Sequence, residues 1–204
     1  FTIFCILILI NGTNFLDGLN TLVIGYYILV ITTLILVTHK FDLILNHNIF
    51  FLLLFLCIIY LFNLLGKIYL GDSGSYLLAF IVSFFILDFF NKNNDISPYF
   101  ISLLLWYPAF ENLFSILRRV SFSKKFYKPD QSHLHQIIFN FFVKKKFFYK
   151  KQTNSLTANF INLFNALVFF IFYQYLYETN VMVTIIILNV IFYLFIYFLI
   201  RKKV

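Results

Sequence analysis

The chain has 204 residues, of which 62% are hydrophobic, 23% aromatic and only 12% charged. A soluble domain carries about a quarter charged residues, so this composition excludes a water-soluble globular protein and makes a lipid bilayer the main solvent. The net charge of +8 comes with no RNA-binding or DNA-binding pattern, which sets aside a nucleic-acid partner. Cys5 and Cys57 lie within apolar segments, act as small hydrophobes and suggest neither a disulfide framework nor redox chemistry.

A bilayer core requires about 20 apolar residues per helix, or roughly 17 at the short end. In chain order the sequence predicts a half-span at Phe1–Ile10. Full spans follow at Thr21–Thr38, Ile49–Leu65, Tyr76–Phe90, Pro98–Leu117, Leu156–Tyr177 and Val181–Ile200. The expected fold is therefore all-α, a polytopic transmembrane helix bundle with cytoplasmic loops forming the active site. Residues 1–204 are read as one membrane domain. Because the chain starts at Phe1 inside an apolar run too short to span, it is read as lacking its N-terminal part.

Alternating the spans puts 67–75, 118–155 and 201–204 on the same side as 11–20. That side holds 14 of the 16 Lys and Arg residues, against Lys40 and Lys92 on the other. The positive-inside rule makes it the cytoplasmic side. The charge then faces anionic headgroups and anionic substrates. Asp17, Asp72, Glu111, Asp130, His133 and His135 fall at this face, whereas Asp42, Asp88, Asp95, Glu178, His39 and His47 fall toward the other.

Three polar clusters stand out. In Asn11-Gly-Thr-Asn14-Phe-Leu-Asp17-Gly-Leu-Asn20, a helical stretch would put Asn11, Asn14 and Asp17 on one face. Their oxygens suit a hard cation such as Mg²⁺, and a solvated turn with helix caps is the bland alternative. In Gly71-Asp72-Ser73-Gly74-Ser75, lying between two spans, the glycines permit close backbone approach, Ser75 could cap the next helix and Asp72 could ligate a metal. The third cluster runs from Arg118 and Arg119 to Pro129-Asp130-Gln-Ser-His133-Leu-His135 and offers donors for phosphates. Lys124, Lys125 and Lys144 to Lys146 read as loop anchors, and no further Cys or His completes a zinc site with the His-x-His pair. The segment His135–Lys151 has apolar and basic faces suited to lying along the membrane surface.

These residues carry a resemblance. Asn14-Phe-Leu-Asp17-Gly-Leu-Asn20, Gly71-Asp72-Ser73-Gly74-Ser75, Pro108-Ala-Phe-Glu111 with Arg118-Arg119, and Pro129-Asp130-Gln-Ser-His133-Leu-His135 occur in the order seen in one family. The chain resembles the polyprenyl-phosphate N-acetylhexosamine-1-phosphate transferases, glycosyltransferase family 4, in their WecA-like branch, related to MraY. It resembles the C-terminal two thirds of that fold. The family pattern has Asp in place of Asn20 and of Glu111, and His in place of Gln136; its early Asp-Asp motif is absent.

The resemblance implies an Mg²⁺-dependent transfer of a sugar 1-phosphate from a UDP-sugar, N-acetylglucosamine 1-phosphate or a related N-acetylhexosamine, to undecaprenyl phosphate. UMP is released and a lipid-linked cell-envelope glycan is initiated. It implies Asp72 as the main Mg²⁺ ligand with Asn14 nearby, so that Asp72, Asp17 and Asn14 are the catalytic candidates. Asp17 and Asn20 would shape the nucleotide site, and Arg119, His133 and His135 would hold the diphosphate. A bacterial inner membrane location is expected, with membrane lipid and a possible homodimer as further partners. The fragment alone is expected to be inactive. The rival is a transporter or channel, which would instead place paired charges near the bilayer midplane.

Overall fold

Backbone amides in lipid find no water, so an apolar run must satisfy them internally as helix. The structure, a computed structural model describing residues 2–121, 132–147, 149 and 152–203, is accordingly helical with no strand among the described residues. The helices are α1 (Thr2–Leu16), α2 (Leu22–Phe41), α3 (Asn48–Leu64), α4 (Gly71–Lys92) and α5 (Pro98–Leu104). They continue with α6 (Trp106–Ser121), α7 (Leu134–Lys145), α8 (Thr153–Phe172), which runs into a 3-10 turn at Tyr173–Tyr175, and α9 (Thr179–Arg201).

The six full spans expected from the sequence are corrected in number. Among the described residues four helices are long and apolar enough to cross a membrane, namely α2, α4, α8 with its 3-10 turn, and α9. The pair α5 and α6 makes a fifth crossing only as a broken span, bent by 73°, and α1 and α3 are shorter apolar helices. Pro108 accounts for the break, because it has no N–H to return to the carbonyl of Leu104. That carbonyl instead accepts the Tyr26 hydroxyl at 2.9 Å, from the buried face of α2.

Asparagines pin the helix ends. The backbone N–H of Thr21 donates to Asn63 Oδ1 at the end of α3, and Asn162 Nδ2 of α8 donates to the Thr21 carbonyl at 3.1 Å. These bonds hold Thr21 at φ 72°, a left-handed conformation costly for a β-branched residue. At the opposite end Asn93 brackets Ile44, accepting from its N–H at 2.9 Å and donating to its carbonyl at 2.8 Å. The C-terminal ends of α1, α3, α6 and α9 and the N-terminal ends of α2, α4 and α8 thus gather at one pole of the bundle. Lys144 of α7 donates to the Lys203 carbonyl there at 2.9 Å. Of the eleven Lys and Arg among the described residues, all but Lys40 and Lys92 lie at this pole. Lys124, Lys125, Asp130 and Lys151 lie outside the described residues.

The surface reading of His135–Lys151 is corrected in part. The apolar face of α7, with Leu134, Ile137 and Ile138, is buried against α8 and α9 rather than left for lipid.

Helix α1 crosses α6 at close range. Asn112 Nδ2 donates to the Ile8 carbonyl at 3.2 Å, and a Cβ at Gly12 would collide with the Pro108 carbonyl oxygen. In an open helix Gly12→Ala would stabilise by about 1 kcal/mol. Collision with a backbone atom that cannot rotate away reverses the sign, so a net loss of about 1–3 kcal/mol is expected. Thermal unfolding in detergent measures it; an unchanged or raised Tm for Gly12→Ala would contradict this packing.

Candidate active site

The Asn11–Asn20 cluster is built from two kinds of backbone. Helix α1 continues through Asn11 and Asn14 to Leu16, after which Asp17–Thr21 form a turn. The single helical face expected for Asn11, Asn14 and Asp17 is therefore corrected: Asp17 lies beyond the helix, with its N–H on the Asn14 carbonyl at 3.2 Å, and Asn11 is exposed.

The Gly71–Ser75 segment is likewise not an interhelical loop but the first turn of α4. Gly71 enters it at φ +61°, which a side chain would resist, while a Cβ there would meet nothing within 4 Å. Its glycine serves the turn of the chain rather than a close approach. Ser75, expected as a helix cap, lies buried inside the helix. Its hydroxyl sits 3.1 Å from Asn14 Oδ1 and 3.0 Å from the Asp72 carbonyl. Asn14 Nδ2 in turn donates to the Tyr76 hydroxyl at 3.1 Å.

These contacts join the end of α1 to the start of α4 and set two carboxylates near each other. Asp17 is half-buried, and burial together with the Asp72 charge pushes its carboxyl up to about 6, against the partial relief of the Gly71 N–H. Asp72 is exposed in the first turn of α4, where the helix dipole favours a negative charge.

On the other side of the same turn lie the histidines. His133 precedes α7, and its N–H donates to Gln136 Oε1 at 3.3 Å. Its Nδ1 lies 2.9 Å from Glu111 Oε1, and the second Glu111 oxygen accepts the Tyr193 hydroxyl at 2.7 Å. The His133 ring is 5.3 Å from Phe15 and 5.7 Å from the stacked ring of His135, while Arg119 lies over Phe15 at 5.9 Å. His135 is fully buried, and burial pushes it down to about 4, so it is neutral at pH 7. Neither of its ring nitrogens has a hydrogen-bond partner among the described residues. A Cβ at Gly18 would stand 2.6 Å from His135 Nε2, so the glycine beside Asp17 leaves that nitrogen room at the turn.

Asn14, Asp17 and Asp72 thus meet on one flank of the turn 14–18, and Arg119, His133 and His135 on the other. Asn20 follows in the same turn, with its backbone N–H donating to Asn154 Oδ1 of α8 at 2.7 Å. The sequence places Glu111 at the polar face and in a motif but gives it no role, and no motif contains Tyr193. An acid inside an apolar helix was the available signal for Glu111; nothing in the sequence pointed to Tyr193.

For a divalent cation the donors are Asp17, Asp72 and Asn14, and no three or more His, Cys, Asp and Glu are placed to hold a metal ion together among the described residues. Two crowded carboxylates and one amide oxygen fit Mg²⁺, which takes few protein ligands and keeps waters or phosphate oxygens. They do not fit a closed structural zinc site.

Residues 1–90 match the model of a family described as "Glycosyl transferase family 4". The chain is 25% identical over 150 residues to a "Probable undecaprenyl-phosphate N-acetylglucosaminyl 1-phosphate transferase" of Bacillus subtilis (strain 168), covering 69% of this chain and 40% of that protein. It is 35% identical over 72 residues to an "Undecaprenyl-phosphate alpha-N-acetylglucosaminyl 1-phosphate transferase" of Thermotoga maritima, covering 35% of this chain and 23% of that protein. The aligned part is thus well under half the length of either relative. No solved structure gives a significant match. The first 90 residues thus match the model of glycosyl transferase family 4, and the chain carries four motifs in the order of the family it resembles.

Proposed function

We propose that the protein transfers a sugar 1-phosphate from a UDP-sugar to undecaprenyl phosphate, releasing UMP and initiating a lipid-linked cell-envelope glycan. N-acetylglucosamine 1-phosphate, or a related N-acetylhexosamine 1-phosphate, is the group transferred. In this reading the protein sits in a bacterial inner membrane with the motif-bearing pole facing the cytoplasm, the side that its excess of Lys and Arg favours. The observation that carries the reading is the meeting, at one turn, of three segments remote in sequence: Asn14 to Gly18, Asp72 to Ser75, and His133 to His135.

In the reaction an oxygen of the lipid phosphate forms a bond to the phosphorus that carries the sugar. The bond from that phosphorus to the bridging oxygen breaks, and UMP leaves with the electron pair. Two anionic phosphates must approach, so positioning and charge neutralisation supply most of the rate. Asp72, Asp17 and Asn14 would hold Mg²⁺, which when bound neutralises phosphate charge. Arg119 and His133 hold the diphosphate on the other flank, and His135, being neutral, contributes a hydrogen bond rather than charge. Asn20 is assigned to the nucleotide end. The lipid phosphate is largely ionised near neutrality, and no general base is assigned. An apolar groove of about 490 Å³, lined by Ile8 and Leu9 of α1, Ile86 and Phe90 of α4 and Ile101 and Leu105 of the broken span, lies toward the other pole. It offers a path for the polyprenyl tail.

Two measurements on the full-length protein test the reading. Asp72→Asn should reduce Mg²⁺-dependent UMP release about 100-fold or more, several kcal/mol of charge stabilisation being lost. Folded yield should hardly change, because the carboxylate is exposed. A near-normal rate removes Asp72 from its role. Because Asp17 gives up its proton only near pH 6, protons and cation compete there. The Mg²⁺ concentration for half-maximal rate should rise as pH falls through about 6, and Asp17→Asn should flatten that rise. A wild-type Mg²⁺ requirement that is constant between about pH 5 and 7 would exclude Asp17 from the cation site.

A further inference from the structure

We infer that α9, which carries none of the sequence motifs, takes part in the site through two positioning residues. Tyr193 fixes the ring of His133 through Glu111, and Tyr197 fixes the backbone beside His133 through Arg118. The inference rests on the transferase reading, in which His133 holds the diphosphate.

Glu111 has no solvent exposure, and an ionised carboxylate can only accept hydrogen bonds. His133 Nδ1 at 2.9 Å must therefore be the protonated nitrogen of the pair, which sets the tautomer and the plane of the ring. The other Glu111 oxygen depends on the Tyr193 hydroxyl at 2.7 Å. Without it that oxygen would be buried and unpaired, and the carboxylate would turn to recover a donor, taking His133 with it. Tyr193 is itself packed between rings: Phe110 meets it edge-on at 4.9 Å and Phe114 at 5.6 Å.

One helical turn further, Tyr197 stacks on Tyr193 with centroids 6.3 Å apart. Its hydroxyl lies 3.2 Å from Arg118 Nη1, and the same nitrogen donates at 2.6 Å to the carbonyl of Ser132, the residue before His133. The Arg118 guanidinium lies against Phe114 at 5.4 Å and Tyr197 at 5.7 Å. Two tyrosines at i and i+4 thus act on one residue, the first on its side chain and the second on its backbone. Tyrosines that merely filled the core would have no reason to converge in this way.

The test uses Tyr193→Phe and Tyr197→Phe in the full-length protein, which delete a hydroxyl and keep the packed ring. Two readouts are taken: UMP release, and ¹⁵N NMR of the histidine side chains in lipid nanodiscs, with the His133 signals assigned by their loss in His133→Ala. Tyr193→Phe should lower kcat about tenfold, the effect of losing a hydrogen bond to a charged group. It should also shift the His133 ring nitrogens, and it should have no further effect once His133→Ala is present. Glu111→Gln should reproduce the shift, and Tyr197→Phe should give a smaller loss of kcat. Unmoved His133 resonances in Tyr193→Phe, or a loss that simply adds to that of His133→Ala, overturns the inference. If Tyr193→Phe does not fold, Glu111→Gln and Tyr197→Phe carry the same two readouts. Failure of the unsubstituted protein to release UMP from any UDP-sugar overturns the transferase reading instead, and the His133 resonances still decide whether Tyr193 positions that ring.

Discussion

A carboxylate sealed inside a helix bundle must have both oxygens hydrogen-bonded, because an unpaired buried charge costs several kcal/mol. Glu111 meets that demand by drawing on two other elements, His133 at the start of α7 and Tyr193 on α9. Three helices with no sequence proximity are thereby locked in register at the pole where the polar motifs lie. The placement of His133 then sets that of Phe15, 5.3 Å away, and so the distance between the histidine loop and the turn that holds Asp17.

The broken span supports the same arrangement. Pro108 interrupts the helix, Tyr26 takes up the carbonyl left without a donor, and α6 leaves α5 at 73°. Its first turns can then cross α1 at Gly12, where only a glycine admits the Pro108 carbonyl. Lipid would not tolerate an open carbonyl at this depth, so the kink depends on a hydroxyl from a neighbouring helix. One proline thus both bends the chain and creates the contact that aims Glu111 and Arg118 toward the site.

The site has two unlike flanks. On one side of the turn 14–18, burial and, after it, the neighbouring charge of Asp72 keep Asp17 protonated to about pH 6. Arg119, His133 and the neutral His135 line the other side. Like charges in proximity store an affinity for a cation, and donors opposite them suit an anion. A substrate that brings its own phosphates to a divalent ion would use both flanks together, which is why the proposed chemistry needs no nucleophile from the chain.

The sequence by itself determined that the chain is an all-helical, multi-pass membrane protein, because apolar runs of this length leave the backbone no other way to satisfy its amides. It also determined that Asn14, Asp17, Asp72, His133 and His135 fall at one pole, since alternating spans and the bias of Lys and Arg impose that sorting. The tertiary structure decided the rest. Helix α1 outruns its apolar half-span to reach Leu16, and α4 begins at Gly71, because polar residues at a helix end can stay helical when a neighbouring helix supplies partners, as Ser75 does for Asn14. The bend at Pro108 depended on a hydroxyl from α2 that no local pattern reveals. The role of Tyr193 was invisible in sequence for the same reason. It stands 82 residues from Glu111 in a run of apolar and aromatic residues, and only the packing of α9 against α6 and α7 turns one of many tyrosines into the partner of a buried carboxylate.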